Sequence, residues 1–175
     1  MRWMSGLLLP ILAGCSMIAV GPFPRTILPV GIAAPQNQRL EYAAAAVGVQ
    51  IYRCDPKQDA PGQFEWVFRA PEARLRDFDG KSFGRHYEGP TWEANDGSKI
   101  VGTVQARIDA PDKSDIPWLR LAAKPSGSGL LAGVTGIQQA STVGGQAPAG
   151  GCAAPDQGRI LRVEYSADYY FYVPR

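Results

Sequence analysis

Residues 91–111 read TWEANDGSKIVGTVQARIDAP, with Asp96-Gly97 between two runs that alternate as strands do. An Asp-Gly pair in that setting is the strongest short-range signal for a hairpin, because its tight turn needs positive φ. On the returning run, Ile100, Gly102, Val104, Ala106 and Ile108 occupy alternate positions. They are expected on one face of a single strand.

The same grammar extends in both directions. ARLRDFDGKSFGRHY (73–87) places Asp79-Gly80 between two short runs, a second hairpin signal. GQFEWVFRAP (62–71) sets Phe64, Trp66 and Phe68 against Glu65, Val67 and Arg69, so one face is aromatic. IPWLRLAA, LLAGVTGIQQAST, RILRVEY and ADYYFYVP add further β-type runs between connections rich in glycine and proline. In the last of them Tyr169 and Phe171 are expected in the core, with Tyr170 and Tyr172 on the other face. RLEYAAAAVGVQIYRC (39–54) is ambiguous: its alanines favour helix, while its second half alternates. We read a strand over Val47–Cys54 and a preceding one over Leu40–Ala45. Roughly eight or nine short strands with almost no helical period predict an all-β antiparallel sandwich or barrel.

Composition agrees. The 175 residues suffice for one domain with a core, and 20 glycines and 15 prolines disfavour long helices. Net charge is +2 and the basic residues are scattered, which disfavours a nucleic-acid partner.

The N-terminus reads as an address. MRWMSG carries Arg2, and LLLPILA is too short to span a bilayer, so residues 1–14 are expected to be a signal peptide. Leu12-Ala13-Gly14-Cys15 resembles the bacterial lipobox, in which the cysteine is lipidated; ordinary cleavage nearby is the alternative. Lipidation of Cys15 would make a membrane the partner of the N-terminus. Ser16, rather than an aspartate, points by analogy to the outer membrane, with secretion as the alternative. Residues 15–38, with several prolines, are expected to tether the lipid to a single domain over 39–175. With Cys15 set aside, Cys54 and Cys152 remain. Two cysteines in an exported chain favour a disulfide over free thiols, and without CxxC spacing they make a poor zinc site. TVGGQAPAGGC places Cys152 on a loop or strand edge.

Six ordered pieces, VQIYRC, PEARL, HYEGPTWEANDGSKIVG, IPWLRLAA, GVTGIQQASTVGGQAP with a following cysteine, and VEYSADYYFY, resemble the exported bacterial and fungal family DUF3455. The resemblance runs from about Gln50 to the C-terminus and implies export but no established activity. This chain has Ile137-Gln138-Gln139 where the family pattern is IQR. Some fungal relatives carry a malate dehydrogenase label. GSGLLAG (127–133) lacks the GxGxxG spacing and is followed by no amphipathic helix, so it is expected to be a loop and no cofactor is expected.

Residues 84–99, GRHYEGPTWEANDGSK, hold the chain's single histidine, His86, among Glu88, Glu93 and Asp96. These four are the candidates for a hydrolase or lyase site: paired carboxylates can act as acid and base, provided they converge. His86 and Glu88 would share a strand face, yet one histidine with one or two acids makes a weak metal site, and none is expected. No GxSxG elbow is present. Trp92, Trp118, Tyr170 and Tyr172 form the other candidate set, an aromatic platform for a glycan or small apolar ligand. The sequence leans to a binding or structural envelope module over an enzyme.

Overall fold

A computed structural model describes residues 28–175. The expected signal peptide, Cys15 and the first part of the expected tether lie outside the described residues. Eight antiparallel strands form one closed barrel: β1 (Gln38–Pro56), β2 (Phe64–Arg76), β3 (Ser82–Tyr87), β4 (Thr91–Ala94), β5 (Lys99–Ile108), β6 (Trp118–Ser126), β7 (Gly136–Gly144) and β8 (Ile160–Pro174). Each strand pairs with the next, and β8 closes on β1. Of the two all-β architectures expected, the chain takes the barrel, which leaves no open sheet edge.

Both Asp-Gly turns form. Ala94 N donates to Ser98 O at 2.9 Å across Asp96-Gly97, and Asp77 N donates to Lys81 O at 2.9 Å across Asp79-Gly80. Gly97 and Gly80 have φ of 83° and 82°, where a side chain would be strained.

Residues 40–54 form one strand rather than two, with register shifts at Leu40/Tyr42 and Ile51/Tyr52. The alanines are strand residues because the barrel interior is narrow. Ala44, Ala46, Ala73, Ala94 and Ala167 are buried in one cluster with Trp92, Tyr169 and Phe171. Small side chains on several strands make room for large ones on others, and this packing overrides the helical propensity of alanine. Gly102 is the sharpest case: a Cβ there would lie 2.8 Å from Trp92 Cζ3.

β5 departs from the expected single face. A bulge between Val104 and Ala106 shifts the register, so that Val104 pairs with Leu121 and Arg107 with Leu119. Directly paired residues share a face, and Leu121 and Leu119 belong to the interior cluster. Ile100, Gly102 and Val104 therefore face inward, Arg107 joins them, and Ala106 and Ile108 turn outward. Phe64, Trp66 and Phe68 do share one face of β2, paired with Pro56, Cys54 and Tyr52, and Phe68, at the open end, is half exposed.

One end of the barrel is plugged by the β6–β7 connection, whose Leu131 and Val134 are fully buried. The segment GSGLLAG lies in this loop. At the other end, Cys152 in the β7–β8 connection is disulfide-bonded to Cys54 on β1, with Cα atoms 6.1 Å apart. Cys152 also forms an isolated bridge to Phe64, as a strand-edge residue would. Residues 28–37, within the expected tether, lie on the barrel wall: a 3-10 turn (Val30–Ile32) buries Ile32, whose carbonyl accepts from Gln138 Nε2.

Candidate functional site

Period-two alternation on β3 sends His86 inward and Arg85 outward. His86 pairs across the ladder with Trp92 of β4, and the two rings stack with centroids 4.1 Å apart. Tyr169 of β8 meets both rings edge-on, at 5.2 and 5.3 Å. The imidazole is 4% exposed. Its Nδ1 lies 2.8 Å from the Thr91 carbonyl, and a carbonyl only accepts, so Nδ1 carries the proton and Nε2 the lone pair. Burial lowers the His86 pKa to about 4, outweighing the Thr91 bond, which raises it. The ring is neutral at physiological pH.

The four candidate catalytic residues do not converge. β3 ends at Tyr87, so Glu88 stands exposed in the β3–β4 turn and shares no strand face with His86. Glu93 occupies the outer face of β4, the reverse of Trp92. There it accepts from Tyr87 OH at 2.7 Å and pairs with Arg85 Nη2 at 3.0 Å and Lys99 Nζ at 3.4 Å. The Tyr87 hydrogen bond first, and Arg85 next, hold its carboxyl below the usual range. Asp96 sits in the β4–β5 hairpin at the plugged end, where Oδ2 accepts from Leu130 N at 2.7 Å and Oδ1 from Ser98 Oγ at 2.6 Å. It ties the plug loop to the hairpin. Among the described residues no three His, Cys, Asp or Glu side chains cluster as metal ligands would.

The aromatic set is also divided. Trp92 is 1% exposed inside the barrel, with Nε1 buried and unpartnered. Trp118, Tyr170 and Tyr172 belong to a separate cluster with Ala43 and Ala140, against which Leu28 and Leu40 pack. The barrel wall separates Trp92 from the other three, so the four form no single platform. Tyr172 OH donates to Gln138 Oε1, and burial pushes its pKa up to about 12. Tyr169 and Phe171 face the interior, as the alternation of β8 predicts.

What the barrel does build is a cavity of about 400 Å³ at the end opposite the plug. His86, Trp92 and Leu121 line it from within the core, and Tyr52, Phe68 and Arg107 are among its other walls. Tyr52 and Phe68 meet edge-on at 5.7 Å, and Tyr52 OH donates to Gly145 O at 2.7 Å. Gln139 also lines the cavity. Its Oε1 accepts from Tyr169 OH at 2.9 Å and its Nε2 donates to Pro117 O at 2.8 Å. It thus fixes the ring that edges His86.

Sequence reasoning placed His86 and Trp92 near a site but missed Gln50, Tyr52, Phe68 and Arg107. Gln50 carried a signal: in VGVQIY it is a polar residue at an inward-phase position. Arg107 carried none, because the bulge that turns it inward leaves no mark in the periodicity.

This geometry defines a class: a small antiparallel up-and-down β-barrel, plugged at one end and hollow at the other. The family model described as protein of unknown function (DUF3455) matches residues 35–173, and the chain belongs to that family. No curated protein and no solved structure matches it.

Proposed function

We propose that this chain is an extracytoplasmic binding module that takes a small, largely apolar ligand into the open end of its barrel and is held at the outer membrane by a lipid on Cys15. The observation that carries the binding role is the cavity itself. Its volume lies within the range of small-molecule sites, and aromatic and aliphatic side chains dominate its lining. The disulfide and the lipobox-like Leu12–Cys15 support an oxidising, extracytoplasmic setting.

A glycan platform is disfavoured, because Trp118, Tyr170 and Tyr172 are packed with Leu28 and Leu40 on the wall. A hydrolase or lyase needs an acid within reach of His86, and the candidate acids lie outside the barrel or in its end turns.

The test is titration with N-phenyl-1-naphthylamine, an apolar fluorophore that brightens on leaving water. One saturable site is expected, with the signal lost in Val104→Trp. Val104 lines the cavity yet is half exposed, so a larger side chain there fills the space without disturbing the core. Absence of saturable binding to the oxidised protein refutes the proposal.

A further inference from the structure

The cavity has one ionised group in its lining. Its remaining polar members are amides, the Tyr52 hydroxyl, the Trp92 indole N–H and the neutral His86, and no carboxylate lines it. Arg107 reaches the lining through the β5 bulge and makes no ion pair or side-chain hydrogen bond with any described residue. Arg53 and Arg69 pair with Asp55, and Arg162 pairs with Glu72; Arg74 and Arg120 make no ion pair either, but they do not line the cavity. Of the acids in the loop after β5, Asp115 accepts from Gly144 N at 2.6 Å and Asp112 from Ser114 N at 2.8 Å, while Asp109 is exposed, makes no ion pair with Arg107 and does not line the cavity.

Gln50 is a second, independent feature. It is 5% exposed, lines the same cavity, and its amide has no side-chain partner among the described residues. The Gln50 amide opens onto the cavity, where a ligand can offer it a hydrogen bond in place of solvent. A free arginine beside an apolar chamber repels cations and matches the planar fork of a carboxylate.

We infer that the ligand is a monocarboxylic acid with an apolar or aromatic body, its carboxylate at Arg107, a polar atom at Gln50 and its body over Trp92 and Leu121; this rests on the cavity reading above. The chamber suits a body of about ten to fifteen non-hydrogen atoms.

Three probes of one shape test the inference: 4-phenylbutyrate, its neutral amide 4-phenylbutyramide and the cation 4-phenylbutylamine. They are titrated calorimetrically at pH 7.5 into the oxidised chain carrying Cys15→Ala, so that no acyl chain competes. The acid is expected to bind about three- to tenfold tighter than the amide, as charge-assisted pairing at a partly solvated site allows. The amine is expected to bind weakest. Added salt should narrow the acid–amide gap. Arg107→Gln should bring acid and amide level while leaving the amide unchanged. Equal binding of acid and amide, or a preference that survives Arg107→Gln, overturns the acid assignment and leaves the binding role standing. If the fluorophore binds and none of the three probes does, the assignment is likewise overturned. If nothing binds, both readings fall together.

Discussion

The His86 imidazole lies on the Trp92 indole, 16° from parallel, with its Nδ1 proton given to Thr91 O. Burial penalises a positive charge on the ring more than the Thr91 bond favours it. Its pKa falls from 6.5 unfolded to about 4 folded, so the unfolded chain binds the extra proton between those values. Stability from this residue is therefore complete above pH 6.5 and is lost as the pH falls towards 4. The loss amounts to about 3 kcal/mol. Urea denaturation at pH 7, 5.5 and 4.5 should show it as a difference between the native chain and His86→Phe, which lacks the titrating group.

Gly102 and Trp92 are a matched pair. Gly102→Ala places a methyl group 2.8 Å from Trp92 Cζ3 and 3.0 Å from Leu121 Cδ2, and should cost about 1–3 kcal/mol through overpacking. Trp92→Phe removes the indole atoms involved and breaks no hydrogen bond, since Nε1 has none. In a double-mutant cycle, the cost of Gly102→Ala should fall in the Trp92→Phe background. Additive costs would show that the indole is not the obstacle.

Much of this was legible in the sequence. Two Asp-Gly turns and the density of alternating runs predicted short antiparallel strands, because hairpin turns and period two are local properties. The Cys54–Cys152 pairing followed from counting. The register shifts were not legible. Whether a strand gains an extra residue at Gln105 depends on how the ladder must curve to close, and that is decided by the other seven strands. The site suffered for this reason: the inward turn of Arg107 is a product of closure, whereas Glu88, Glu93 and Asp96 drew attention by nearness in sequence alone.

Reduction of the disulfide should be expensive. Cys54 and Cys152 are 98 residues apart, and chain entropy assigns such a closure about 4–5 kcal/mol. Cys54→Ser with Cys152→Ser should lower the urea midpoint accordingly, without changing the β-type circular dichroism at zero denaturant. A midpoint unmoved by the double substitution would show that the connection is held by its backbone bonds, such as Gly158 N to Cys54 O at 2.9 Å.

Lipidation of Cys15 predicts that the exported protein partitions into detergent in a Triton X-114 separation, and that Cys15→Ala moves it to the aqueous phase. Intact-mass measurement would add the diacylglyceryl and acyl increments to a chain beginning at Cys15. A mature chain that begins elsewhere would establish ordinary cleavage.

The seam between β1 and β8 joins the first strand made to the last. Until Ile160–Pro174 is available, β1 and β7 each present a bare ladder edge, and no arrangement of the earlier strands can satisfy both. A chain still being synthesised is therefore held short of its native state by its own topology. Completion waits for the final fifteen-residue strand to arrive. A nascent chain cut short before that point keeps two adhesive edges, and its fate is self-association or proteolysis rather than a smaller working barrel.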